Sequence, residues 1–174
     1  MSKVKAFFID RDGVINIEKN YLYKSKDFEF IDGVFDALRY LQLKGYKLFI
    51  ITNQSGISRN FYTSKDFEIL TRWMLDVLQK EKIYISGVEY CPHIHEENCN
   101  CRKPRTGMIE NIMNRFEIDL NKTWLIGDKD VDIQCAHNIG INNTIQVRSG
   151  HMFDENNSTA QSIIDSIKNI KEVI

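Results

Sequence analysis

The chain has 174 residues, 43% of them hydrophobic, with 23 basic against 24 acidic side chains and a formal net charge of −1. That length suits one domain with a real core, and the balanced charge excludes bulk electrostatic binding of nucleic acid or an anionic membrane surface. No apolar run approaches the roughly 20 residues of a bilayer span, and Met1–Ala6 leads toward a strand rather than forming a signal peptide, so the expected location is cytoplasmic.

Lys5 to Asp10 reads as a buried strand that ends in Asp10-Arg11-Asp12-Gly13. Val34, Leu38 and Leu41 mark an amphipathic helix stopped by Gly45, and Lys47 to Thr52 is a second apolar strand, followed by Asn53. Thr63 to Gln79 has Phe67, Leu70, Met74 and Leu78 on one helical face, with Ser64 as its cap. Val88 to Cys91 is a third strand. Thr106 to Phe116 is a helix with Met108, Ile109, Ile112, Met113 and Phe116 as its stripe. Thr123 to Gly127 is a fourth strand that meets Asp128-Lys129-Asp130-Val131-Asp132, and a short helix continues through Cys135, Ala136 and Ile139. Thr144 to Val147 is the last predicted strand. Ser158 with Gln161 three positions on reads as a capping box, so a C-terminal helix is expected over about 158–172, docking through Ile163, Ile164, Ile167 and Ile170.

Strands alternating with helices predict an α/β fold with a doubly wound parallel sheet. Residues 1–174 then form a single domain, with a monomer as the expected state. Three strands end in polar residues (Asp10/Asp12, Thr52/Asn53 and Asp128), and in such a sheet those ends share one edge, where ligands bind. Several carboxylates crowded together repel unless a hard cation holds them, and an oxygen-rich set suits Mg²⁺. A cation bridging Asp10, Asp128 and a phosphate oxygen would draw off charge during phosphoryl transfer. Asp10 could attack phosphorus as a carboxylate nucleophile, and Asp12 could protonate the leaving oxygen and then activate water. Thr52, Asn53 and Lys103 would supply donors and positive charge to the remaining phosphate oxygens.

Of the four cysteines, Cys91, Cys99 and Cys101 cluster, and the only two prolines, Pro92 and Pro104, flank them. Three thiols and an imidazole within eleven residues suit a closed, structural Zn²⁺ site, which would fold a loop too polar to hold itself by packing. The imidazole is His93 or His95; the Cys91-x-His93 spacing makes the tighter chelate. Cys135 reads as a small core residue. A non-catalytic zinc-stabilised binding module is the competing reading of another class.

Asp10-Arg11-Asp12-Gly13-Val14, Thr52, Lys103 and Gly127-Asp128-x-x-x-Asp132 resemble, in order and spacing, the four motifs of the haloacid dehalogenase (HAD) phosphatases. The resemblance covers about the first 150 residues. It implies a Rossmann-like core, Asp10 as nucleophile, Asp12 as acid/base, and Mg²⁺ held by Asp10, the Asp12 carbonyl and Asp128. Thr52 and Lys103 would hold the transferring phosphate.

Within that superfamily Phe28–Val34, Thr52–Arg59, Cys99–Pro104, Gly107-Met108 and Gly127–Lys129 are similar to the heptose bisphosphate phosphatases, enzymes of surface-glycan precursor synthesis. A zinc loop over 91–103 replaces a large cap in that family. The resemblance implies a small sugar phosphate as substrate, lined by Glu18, Lys19, Asn20, Tyr21, Asn53, Gln54, Ser55, Arg59, Arg102 and Lys129. The short His93–Cys99 spacing is more like the histidinol-phosphate phosphatases, whereas Gln54–Arg59 favours the heptose branch.

Overall fold

In the computed structural model, which describes residues 3–174, the first strand, β1 (Ala6–Ile9), lies inside a sheet rather than at its edge. The chain continues through α1 (Val34–Leu43), β2 (Lys47–Asn53), α2 (Ser64–Lys80), β3 (Ile85–Cys91), α3 (Gly107–Met113), β4 (Trp124–Gly127), α4 (Asp130–Ile139), β5 (Asn143–Val147) and β6 (Ser162–Ile164). The six strands run in the order β3-β2-β1-β4-β5-β6, and every pair is parallel. This is the expected doubly wound sheet. The direction of winding reverses at β1, with β2 on one side and β4 on the other, which makes the β1/β4 boundary the switch point where such sheets bind ligands.

Both faces of the sheet are covered, so its strands are apolar throughout rather than alternating. Phe7, Ile9, Leu48 and Ile50 face a core completed by Leu38 and Leu41 of α1 and by Leu70, Met74 and Leu78 of α2. Ala6, Phe8, Phe49 and Ile51 face the other way, against Met108, Ile109 and Ile112 of α3 and Cys135 and Ala136 of α4. Cys135 is therefore a core residue, as its helical position suggests.

Several elements differ from the sequence reading. The helix expected over about 158–172 does not form. Instead Ser162–Ile164 joins the sheet beside β5, and a 3₁₀ turn over Ile167–Glu172 follows. The β-branched pair Ile163-Ile164 suits a strand, while Ile167 and Ile170, three apart, suit a 3₁₀ turn packed on α1. Ser158 caps no helix; its hydroxyl bonds to Gln146 at the end of β5, and the Gln161 N–H donates to Thr144 Oγ1 at 3.0 Å. For α2 the cap is Thr63, not Ser64: Thr63 Oγ1 accepts from the Asp66 N–H at 3.1 Å, and Asp66 accepts from the Thr63 N–H at 2.8 Å. The α3 helix stops at Met113, short of Phe116. Residues Met1 and Ser2 lie outside the described residues. Among the described residues, no helix is long and apolar enough to cross a membrane.

Candidate active site

Register brings the three polar strand ends together. Ile9 lies opposite Ile50 of β2 and Ile126 of β4, so Asp10, Thr52 and Asp128 follow within two residues of one another at the same edge. The Asp10 N–H extends the ladder by donating to Ile126 O at 3.0 Å. Asp10 is 7% exposed, Thr52 1% and Asp128 fully buried.

Lys103 enters this edge from the far end of the cysteine loop. Its ammonium lies 2.9 Å from Asp10 Oδ1 and 2.6 Å from Asp132 Oδ1, and it donates to Ile51 O at 3.0 Å. Burial alone would lower its pKa, but the charges of Asp10 and Asp132 raise it and keep it cationic. Burial raises the Asp10 carboxyl well above its ordinary range; Lys103 opposes this, while Asp132, Asp128 and Asp12 add to it. Asn53 holds the backbone of Lys103: its Oδ1 accepts from the Lys103 N–H at 3.1 Å and its Nδ2 donates to Lys103 O at 3.3 Å.

Asp12 sits in a separate nest. Arg11, only 1% exposed, folds back so that Nη2 reaches Asp12 Oδ1 at 2.9 Å and Oδ2 at 3.0 Å. Asn16 Nδ2 donates to Oδ1 at 3.0 Å, and Gln54 Nε2 donates to Oδ2 at 3.0 Å. Burial pushes the Asp12 pKa up, but Arg11 and these hydrogen bonds outweigh it and hold the carboxyl below its ordinary range. Gln54 also donates to Thr52 Oγ1 at 2.7 Å and accepts from Tyr62 OH at 2.5 Å. The Thr52 oxygen is thereby engaged as an acceptor, which leaves its hydrogen to donate.

Asp128 is the best placed cation ligand. Its Oδ2 accepts from the His151 N–H at 2.8 Å and lies 2.7 Å from His151 Nδ1, while its buried Oδ1 has no partner. Carboxylate oxygens of Asp10, Asp128 and Asp132 lie within 4.8 Å of one another. An all-oxygen donor set with one orphaned buried oxygen fits Mg²⁺. Asp132 is the least free of the three, since it pairs with Lys103 and its Oδ2 accepts from the Lys129 N–H at 3.0 Å.

The cysteine loop brings Cys91, His93, Cys99 and Cys101 within 4.8 Å through their ligand atoms. Cys91 Sγ is 3.5 Å from both His93 Nδ1 and Cys99 Sγ, and His93 Nδ1 is 3.3 Å from Cys101 Sγ. Those edges are close to the roughly 3.5–3.8 Å of a tetrahedron built on Zn–N and Zn–S bonds. All four cysteines are free thiols. Burial pushes the Cys99 thiol up, yet the Arg102 N–H and the neighbouring thiols bring it down to about 7, whereas burial leaves the Cys91 and Cys101 thiols above their ordinary value. His93, not His95, belongs to the cluster; His95 lies in the following 3₁₀ turn.

A cleft of about 250 Å³ opens above Asp10, Asp12, Lys103 and Asp132. Of the residues expected to line it, Glu18, Asn20 and Tyr21 do so from one loop, and Asn53, Gln54, Ser55 and Arg59 from the end of β2 and the turn after it. Arg102 and Lys129 line it as well. Lys19 does not; its ammonium turns to Glu29 at 2.6 Å. Arg11, Asn16, Tyr62, Asp132 and His151 are site residues that the sequence reading gave no role. Asp132 had a signal, as the third residue of α4, an N-terminal position where a carboxylate can accept from the backbone, and the last of the Gly127-Asp128-x-x-x-Asp132 spacing. Tyr62 and His151 come from loops and carried none.

Residues 100–170 match the HAD-hydrolase-like family model. The D-glycero-alpha-D-manno-heptose-1,7-bisphosphate 7-phosphatase of Campylobacter jejuni is 42% identical over 176 residues, covering 99% of this chain and 95% of its own. The D-glycero-beta-D-manno-heptose-1,7-bisphosphate 7-phosphatase of Helicobacter pylori J99 is 41% identical over 171 residues, covering 98% and 95%. Among solved structures, the D,D-heptose 1,7-bisphosphate phosphatase of B. bronchiseptica, complexed with magnesium and phosphate, superposes with a TM-score of 0.83 at 26% identity, covering 97% of both chains. These similarities favour the heptose branch over the histidinol-phosphate phosphatases despite the short His93–Cys99 spacing, and a phosphatase over a non-catalytic zinc module. By this similarity along nearly its whole length, the chain belongs to the heptose-1,7-bisphosphate 7-phosphatase family of HAD-like hydrolases.

Proposed function

We propose that the protein is a Mg²⁺-dependent phosphatase that removes the 7-phosphate of D-glycero-D-manno-heptose 1,7-bisphosphate and leaves the 1-phosphate in place. The observation that carries this reading is the pairing of Asp10 with Lys103 beside the unpartnered Asp128 oxygen, in a chain of this family. Arg59, Arg102 and Lys129 around the cleft give it the positive charge that a second phosphate needs.

Asp10 Oδ1 accepts from Lys103, and the Asp10 carboxylate attacks phosphorus. The phosphorus–O7 bond breaks, the sugar oxygen leaves, and the phosphoryl group is carried as an acyl phosphate on Asp10. Lys103 and the Thr52 hydroxyl neutralise the phosphoryl oxygens as charge spreads over them. Mg²⁺ held by Asp10, Asp128 and the Asp12 carbonyl would add Lewis-acid charge stabilisation at the same oxygens.

Asp12 protonates the leaving O7 and later takes a proton from the water that cleaves the acyl phosphate. In its nest the carboxylate is ionised, the form required of the base. Arrival of a phosphate beside it raises its proton affinity, as any like charge does, and prepares it for the acid step.

Phosphate release should be measured from the α and β heptose 1,7-bisphosphates and from histidinol phosphate, with ³¹P NMR to identify the remaining ester. The expected product is heptose 1-phosphate. Turnover of histidinol phosphate alone would sink the proposal.

A further inference from the structure

We propose that His151 is a positioning residue that turns Asp128 toward the cation; this rests on the Mg²⁺-dependent reading above. The loop after β5 delivers two donors to one oxygen of Asp128: the His151 N–H at 2.8 Å and the imidazole Nδ1 at 2.7 Å, both on Oδ2. A carboxylate oxygen only accepts, so Nδ1 carries the hydrogen in this contact. With Oδ2 doubly engaged, Oδ1 is the oxygen left over, and it is the buried atom without a partner.

The loop is built to hold this geometry. Ser149 Oγ donates to Gly13 O at 2.7 Å, tying the loop to the turn that follows Asp12. Two glycines crowd Oδ2: a Cβ on Gly13 would lie 2.7 Å from Asp128 Oδ2, and one on Gly150 only 2.2 Å from it. No side chain other than hydrogen fits at either position, so backbone packs close against the same oxygen that His151 keys. The imidazole is also part of the cleft wall, within reach of solvent at 39% side-chain exposure.

A hydrogen bond to the non-ligating oxygen of a carboxylate fixes its orientation, and loss of such a partner typically costs 10–100-fold in metal affinity. Because the His151 N–H survives any side-chain change, the lower end of that range is expected.

The test is calorimetric titration of Mg²⁺ into purified, zinc-loaded enzyme without substrate, for wild type, His151→Ala and His151→Asn, together with the melting temperature of each without Mg²⁺. The expected result is a roughly 10-fold rise in Mg²⁺ Kd for His151→Ala, partial recovery in His151→Asn, whose amide can still donate, and unchanged Mg²⁺-free melting temperatures. Equal Kd values for wild type and His151→Ala overturn the assignment. So does a loss of affinity matched by a fall in the Mg²⁺-free melting temperature, which makes the contact structural. No Mg²⁺ binding by wild type would overturn the metal-dependent reading itself.

Discussion

Asn53 and Lys103 hold one another by a reciprocal pair of hydrogen bonds, Lys103 N–H to Asn53 Oδ1 and Asn53 Nδ2 to Lys103 O. This joins the end of β2 to the end of the cysteine loop. It also engages Oδ1 and one of the two amide hydrogens of Asn53, a side chain that the sequence reading assigned to the phosphate. Asn53→Ala should therefore act through Lys103. Losing two partly buried hydrogen bonds costs about 1–3 kcal/mol of stability, and a lysine displaced by about an ångström costs on the order of 10²-fold in rate. Steady-state kinetics on heptose bisphosphate should show the loss mainly in kcat. A rise in KM alone would mean that Asn53 binds the sugar and does not position the lysine.

Asp12 and Arg11 make the second prediction, one of pH. The Asp12 pKa lies below its unfolded value, so its contribution to stability is complete above the ordinary aspartate range, near pH 4, and is lost as pH falls through the folded value. Asp12→Asn leaves the buried Arg11 without its anion, at a cost of about 3 kcal/mol at neutral pH. As wild type protonates Asp12 in acid it loses the same ion pair, so the gap between the two proteins should narrow below pH 4. Urea unfolding at pH 7, 4 and 3 measures it; a gap that widens in acid contradicts the argument. Asp12→Asn should also slow turnover by roughly 10²–10⁴-fold.

The fold was legible where the periodicity was long and the chemistry sat at strand ends. Phe7–Ile9, Leu48–Ile51 and Leu125–Ile126 are buried on both faces, and a run of apolar residues ending in Asp10, Thr52 or Asp128 announces a parallel strand and its active edge. The tail misled because Ile163, Ile164, Ile167 and Ile170 fit one helical face as well as they fit a strand followed by a 3₁₀ turn. Only the open edge of β5, which is tertiary information, decides between them. Arg11 was visible as a residue but not as a partner, since adjacent side chains meet only when the backbone leaves the strand and turns. Tyr62 and His151 reach the site from loops whose paths no local pattern encodes.

The tail supplies a third prediction. Ile170 is fully buried in the core beside α1, and it supplies no group to the cleft. Ile170→Ala should lower stability by about 2–5 kcal/mol and leave KM and kcat unchanged at temperatures where the variant is folded. Denaturant unfolding alongside kinetics checks both halves. A loss well below 1 kcal/mol would show that the 3₁₀ turn is not docked as described.

The cysteine loop connects the two ends of the site. Cys99 and Cys101 sit immediately before Arg102 and Lys103, and Arg102 Nη1 donates to His93 O at 3.1 Å, so the folded loop sets where Lys103 begins. Without a metal the four ligands have little reason to converge: Cys99 and Cys101 are only partly buried, and the short His95–Glu97 turn buries nothing. Removing zinc should therefore abolish turnover by letting Lys103 leave Asp10, even with Mg²⁺ in excess. The ion pair it abandons is buried, so stability should fall by about 3–5 kcal/mol. Zinc content by atomic absorption should be one per chain and should track activity through a chelator titration. The Cys101→Ser variant should behave like chelated wild type. Full activity in zinc-free protein, or in Cys101→Ser, would show that Lys103 is held by Asn53 and Asp132 without help from the loop.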